Sequence, residues 1–193
     1  MLSNAHVPIV GFAAFSGTGK TTLLKELLRI LSARGLRVGV VKHAHHSFDV
    51  DHPGKDSYEL RKSGAAQTLV ASRSRWALVV EKARDREPRL DEVLHELDQA
   101  AHDLILVEGF KDERFAKIEL HRPSLRRPLL HLRDDAIIAV ASDAPLAEET
   151  HLPRLDLNRP EDIAAFIVDY ALGDARASKA PGRAADAGPR ASG

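Results

Sequence analysis

Short, nearly continuous apolar runs alternate along the chain with stretches whose apolar residues recur every three or four positions. VPIVGFAA (Val7 to Ala14) is a run of the first kind, as expected of a strand buried on both faces of a parallel sheet. From Thr21 to Arg34, Leu23, Leu24, Leu27, Leu28 and Leu31 form an apolar face at helical spacing, and Gly35 follows as a C-cap. LRVGVV (Leu36 to Val41) predicts the second strand. A polar loop from Lys42 to Lys55 leads to a short helix over about Asp56 to Ser63. TLVA (Thr68 to Ala71) and WALVV (Trp76 to Val80) flank Ser72 to Arg75 and predict a hairpin, so one of the two runs antiparallel. Leu90 to Ala101 has the pattern of an amphipathic helix, and DLILVEG (Asp103 to Gly109) that of a buried strand ending in an acid. KIEL (Lys117 to Leu120), an arginine-rich loop from Arg122 to Arg133 and AIIAVA (Ala136 to Ala141) come next. A final helix is expected from about Pro160, which suits a first helical turn, to Leu172. This order predicts an α/β fold: three layers around a mostly parallel sheet, with a β-hairpin insertion.

Between the first strand and the first helix lies AFSGTGKTT, Ala14 to Thr22. It matches the phosphate-loop pattern G-x-x-x-x-G-K-[S/T] except that Ala14 takes the place of the first glycine. Such a loop turns successive backbone N–H groups around Ser16, Gly17, Thr18, Gly19 and Lys20 inward, and the following helix adds its positive N-terminal end. Lys20 is expected to reach the β- and γ-phosphates, the Thr21 hydroxyl to bind Mg²⁺, and Thr22 to contact the α-phosphate. Ala14 removes no phosphate donor. Strand, glycine loop, helix and strand in succession make this a P-loop NTPase fold. Glu108, at the end of a neighbouring buried strand, stands where such folds carry an acid for the Mg²⁺ water shell, and Gly109 allows a tight turn after it. Asp103, at the other end of that strand, is expected to cap the preceding helix.

Composition adds bounds. The chain has 193 residues, 44% of them hydrophobic, enough for the core of one domain spanning residues 1–172. Residues 173–193, built of Ala, Gly, Pro, Arg and Asp without apolar periodicity, read as a disordered C-terminal tail. The 28 basic and 28 acidic residues cancel, so no global field points to nucleic acid or membrane, and an anion site must be local. With no cysteine, disulfides and thiolate metal sites are excluded. No apolar run approaches the roughly 18 residues of a membrane span, and the N-terminus lacks the pattern of a signal peptide. The expectation is a soluble, cytoplasmic protein.

The loop after the second strand carries His43, His45, His46, Asp49, Asp51 and His52. Its composition suits a transition metal, yet its place beside the glycine loop suits a phosphorylated ligand equally well, and a solvated loop is the plain alternative. Taken together, VKHAHHSFDVDHPGKDSYELRK (Val41 to Lys62), AFSGTGKTT and DLILVEGFK (Asp103 to Lys111) resemble the molybdopterin-guanine dinucleotide biosynthesis protein B (MobB) family over roughly Pro8 to Leu172. Family members also tend to carry alanine and an aromatic residue before SGTGKTT, so Ala14 reads as a family trait.

The resemblance implies a homodimer that binds GTP with Mg²⁺ and hydrolyses it weakly. It further implies an accessory or adapter role in molybdenum cofactor biosynthesis, in forming or delivering molybdopterin guanine dinucleotide. Molybdopterin or its guanine dinucleotide would be a further ligand, and the partners would be the cofactor guanylyltransferase and the molybdenum-insertion proteins. Asp49 and Asp51 would bind Mg²⁺ through water or orient the attacking water beside Lys20. Lys42, His43, Lys55 and Arg61 form a basic set suited to a pterin phosphate. The N-K-x-D guanine signature is absent, so the acid for the base edge falls to Asp143 or to Asp156, with Glu81 after the hairpin as a further reach toward the nucleotide. No general base is evident, and Arg122 to Arg127 supply the candidates for an arginine finger, so slow hydrolysis is expected. Two other readings stand beside this one: a P-loop small-molecule kinase with the arginine loop as its lid, and a metal-delivery GTPase using the loop from His43 to His52.

Overall fold

The computed structural model describes residues 4–44, 48–82 and 86–178. Six strands form one sheet in the order β2-β5-β1-β6-β7-β8: β1 Ile9–Ala13, β2 Val38–Lys42, β5 Leu104–Glu108, β6 Lys117–His121, β7 Ile137–Ser142 and β8 Arg154–Asp156. Every neighbouring pair in this sheet is parallel. Among the described residues the hairpin strands β3 Gln67–Ala71 and β4 Trp76–Val80 pair only with each other, antiparallel, in a separate two-stranded sheet. The helices are α1 Lys20–Ala33, α2 Asp56–Lys62, α3 Leu90–His95 and α4 Pro160–Ser178. No helix among the described residues is long and apolar enough to cross a membrane.

Alternation along the central strands builds the layers, because successive side chains of a strand point to opposite faces. Leu104 and Leu106 of β5 join Val10, Phe12, Ile118 and Leu120 under the buried leucines of α1 and the apolar side of α4. Ile105 and Val107 turn the other way, onto Leu90 and Leu94 of α3 with Phe110 and Phe115. On that second face β1 has Gly11, where a side chain's first carbon would lie 2.4 Å from the Phe115 ring. Lys117 beside it is fully buried, its Nζ donating to the carbonyls of Lys111 and Glu113 and pairing with Asp134 at 2.9 Å.

Some boundaries differ from the sequence expectation. The helix expected over Leu90 to Ala101 stops at His95 and resumes as a 3₁₀ turn over Gln99–Ala101. The Gln99 side chain accounts for the break: its Nε2 donates to the carbonyls of Leu94 and Asn4, and its Oε1 accepts from the N–H of His6. A side-chain amide thus satisfies the helix end and the incoming N-terminal segment together. Helix α4 continues past Leu172 to Ser178, while residues 179–193 lie outside the described set. Strand β8, only three residues long, had no periodicity by which to be recognised.

Candidate functional site

The C-terminal ends of the parallel strands share one edge, and in open α/β sheets that edge, where the strand order reverses, is where ligands bind. Here the reversal falls at β1, flanked by β5 on one side and β6 on the other. Residues 14–19 leave β1 at that edge and feed directly into α1, whose N-terminus is Gly19 with no side-chain cap. Gly17 and Gly19 both adopt the left-handed conformation, with φ of +82° and +94°. That conformation strains a residue bearing a side chain, which explains why these two positions are glycine. Between them Thr18 turns inward, 2% exposed, and its hydroxyl donates to the Phe15 carbonyl at 2.7 Å. Its role is to brace the loop from within. Ser16, Thr21 and Thr22 stay exposed and Lys20 half-buried at the start of the helix. Lys20 makes no ion pair among the described residues.

Glu108 ends β5 next to this loop, in register with Phe12 on β1 and Lys42 on β2. Its carboxylate is mostly buried and lies 3.5 Å from Lys42 Nζ. The turn after it has left-handed backbone at both Gly109 and Phe110. A side chain at Gly109 would begin 2.5 Å from the Cβ of His43, so close approach as well as conformation requires glycine there. His43 stacks on Phe110 at 4.8 Å between ring centroids, and its Nε2 lies 2.6 Å from Glu87.

Asp49, Asp51 and Glu81 come together, around Arg61. The buried guanidinium donates from Nη2 to Asp49 at 2.7 Å and to Asp51 at 2.6 Å, and from Nη1 to Glu81 at 2.9 Å. Tyr58 lies beneath it, 5.2 Å from ring centroid to guanidinium carbon. The guanidinium holds the Asp51 carboxyl below the usual carboxylate range, and the carboxylates raise Arg61 in return. Arg61 therefore acts as the counter-ion of these acids, where the sequence suggested a phosphate contact. Asp103 likewise caps no helix: it accepts the backbone N–H and the guanidinium of Arg37. His45 and His46 lie outside the described residues, and so does their part of the metal-site expectation. Among the described residues no group of three or more His, Asp or Glu side chains is arranged to hold a metal ion.

On the other side of β1, Arg122 follows β6 and Asp143 follows β7, brought side by side by the pairing of His121 with Ser142. Arg122 Nε donates to the Thr18 carbonyl at 2.8 Å, and its Nη1 pairs with Asp143. Arg127 sits over the Phe15 ring at 5.6 Å. The arginine loop thus lies against the glycine loop, a contact between residues too distant in sequence for any local pattern to reveal. Asp143 and Asp156, the two acids considered for a base edge, line one cavity of about 330 Å³ with Ser142, Leu146 and Arg154. A larger cavity of about 660 Å³ beside α3 shares no residue with the glycine loop, and its Arg86 and Glu92 already neutralise each other at 2.6 Å.

The family model for molybdopterin guanine dinucleotide synthesis protein B matches residues 9–143. The molybdopterin-guanine dinucleotide biosynthesis adapter protein of Escherichia coli K12 is 52% identical over 171 residues, covering 88% of this chain and 97% of that protein. The adapter protein of Haemophilus influenzae is 41% identical over 167 residues, covering 86% and 91%. Among solved structures, a molybdopterin-guanine biosynthesis protein B superposes with a TM-score of 0.67 at 27% identity, covering 84% of this chain and 98% of that one. The MobB homologue of Bacillus stearothermophilus gives a TM-score of 0.62 at 25% identity, covering 86% and 98%. The α/β fold is the one these structures share, and the chain belongs to the molybdopterin-guanine dinucleotide synthesis protein B (MobB) family.

Proposed function

We propose that this chain is a GTP-binding adapter in molybdenum cofactor biosynthesis, acting where molybdopterin guanine dinucleotide is formed or delivered. The observation that carries the proposal is the glycine loop itself. Its two left-handed glycines and a helix N-terminus without a side-chain cap open at the sheet edge, beside a lysine that makes no ion pair among the described residues. The Lys20 ammonium and the backbone N–H groups from Ser16 to Thr22, apart from that of Thr18, which turns to Phe15 O at 3.4 Å, suit the phosphates of a nucleotide. The Thr21 hydroxyl and the Glu108 carboxylate are hard oxygen donors on neighbouring elements, the donor chemistry that Mg²⁺ prefers. Bound there, Mg²⁺ would neutralise phosphate charge. The cavity lined by Asp143 and Asp156 is large enough for a purine base, and a carboxylate accepting from guanine N1–H and N2–H discriminates against adenine. Each carboxylate oxygen has two lone pairs, so the bond from Arg122 leaves Asp143 with accepting capacity.

Hydrolysis in this arrangement is slow. Asp49, Asp51 and Glu81 are tied to Arg61, and Arg122 is tied to Thr18 and Asp143. Activating water through Asp49 or Asp51 would first have to loosen that cluster. Nucleotide state then controls shape and partner choice, the partners being the guanylyltransferase and molybdenum-insertion proteins, with molybdopterin or its guanine dinucleotide as their shared ligand. The adapter works as a homodimer. Support comes from the hairpin, where Leu69, Val70, Trp76 and Leu78 are exposed on a two-stranded sheet with open edges.

Calorimetric titration with GTP and ATP, each with Mg²⁺, tests the nucleotide claim on the wild type and Lys20→Ala. GTP should bind at least about tenfold tighter than ATP. Lys20→Ala should lose at least about tenfold, since a charge-assisted hydrogen bond is worth roughly 1.5–3 kcal/mol. Tighter ATP binding would sink the guanine claim, and unchanged affinity in Lys20→Ala would sink the phosphate-loop claim.

A further inference from the structure

We infer that Arg122 is a positioning residue for the phosphate loop, held in place by Asp143, an inference that rests on the phosphate-binding role proposed above. A loop that turns its N–H groups inward must turn carbonyls outward, and each buried carbonyl needs a donor. Phe15 O receives the Thr18 hydroxyl at 2.7 Å, and Gly19 O receives the N–H of Leu23 at 3.0 Å as α1 begins. Both donors are local. The Thr18 carbonyl has Arg122 Nε at 2.8 Å, from a residue 104 positions later in the chain. Thr18 lies between Gly17 and Gly19, where the backbone has least resistance to turning over, so this tether opposes the loop's easiest distortion.

The tether is itself supported. The His121–Ser142 pairing puts Arg122 beside Asp143, and the Asp143 carboxylate takes Nη1 of the same guanidinium. Nη2 comes within 3.5 Å of where a side chain on Gly19 would begin, so the Nε–Nη2 edge of the group borders the loop at both Thr18 and Gly19. One rigid fork thus joins the phosphate loop to the wall of the Asp143 cavity. A lysine has a single point charge and cannot present two directed donors in that fixed geometry.

The test combines GTP and ATP titration with hydrogen exchange of the nucleotide-free loop amides from Phe15 to Lys20, on full-length wild type, Lys20→Ala, Arg122→Ala, Arg122→Lys and Asp143→Asn. Arg122→Ala should weaken GTP and ATP by the same factor, about tenfold for one charge-assisted hydrogen bond. Its loop amides should exchange faster while its melting temperature stays close to wild type. Arg122→Lys should behave like Arg122→Ala, and Asp143→Asn should share the faster loop exchange. Wild-type affinity in Arg122→Ala, a loss confined to GTP, or full rescue by Arg122→Lys would overturn the assignment. The parallel variant separates the two claims: if Lys20→Ala binds as wild type, the phosphate-loop reading falls, and this inference with it. If Lys20→Ala loses binding while Arg122→Ala keeps it, only the role of Arg122 falls.

Discussion

Asp103 accepts both the backbone N–H and the guanidinium of Arg37, and this pairing depresses its carboxyl to about 2 from an ordinary 3.8. Because the folded value lies below the unfolded one, the pairing stabilises the fold above the unfolded value and fades as pH falls from 3.8 toward 2. The stability difference between wild type and Asp103→Asn should therefore be full at neutral pH and close over that window, as read by urea denaturation at a series of pH values. A difference that persists at pH 2 would show that titration of Asp103 does not carry it. Arg61 lowers the Asp51 carboxyl in the same direction, through a charge-assisted hydrogen bond. Asp49, Asp51 and Glu81 were visible in the sequence as acids near a phosphate-loop fold. Nothing in their spacing showed that Arg61, itself one of the presumed phosphate contacts, would gather all three.

At the scale of elements, periodicity located β1, α1 and β5 almost to the residue, because burial on one or two faces leaves its mark on every second or every third to fourth side chain, while the exposed hairpin was located by its β-branched and aromatic residues around a turn. Helix α3 fell short because a single polar side chain, Gln99, ends it by bonding to Leu94 O, and a glutamine at that spacing reads as one more helical residue. Gly11 shows a second kind of hidden constraint. Its neighbours on β1 are apolar, and it looks like a weak spot in a strand, yet the Phe115 ring fills the space its side chain would take. Gly11→Ala should lower stability by roughly 1–3 kcal/mol, the usual range for overpacking a tight core. Pairing it with Phe115→Leu should restore part of the loss, measured by chemical denaturation; an undiminished loss in the double variant would place the clash elsewhere.

For the whole molecule, the sheet order brings the ends of β1, β5, β6 and β7 to one edge, with Lys20, Glu108, Arg122 and Asp143 on or just after them. The hairpin stands apart from that sheet, with Trp76 69% exposed and Leu69 59% exposed. Two open strand edges with apolar side chains suit pairing with the hairpin of a second copy. Sedimentation velocity should find a dimer for the wild type and a shift toward monomer for Leu69→Ser combined with Trp76→Lys, with nucleotide binding retained. A wild-type monomer at micromolar concentration would refute the dimer, and a double variant that stays dimeric would move the interface off the hairpin.

The sequence by itself determined the alternation of strands and helices, the hairpin, and the glycine loop with its lysine and threonines, because each is written in neighbouring residues. Tertiary structure decided which charges are compensated and by whom: Asp49, Asp51 and Glu81 by Arg61, Asp103 by Arg37, and Asp143 by Arg122, which also donates to the Thr18 carbonyl. The physical reason is one of range. Backbone conformation and side-chain period are local, whereas an ion pair depends on which strands lie side by side and in what register. That order, β2-β5-β1-β6-β7-β8, is a property of the packed sheet alone.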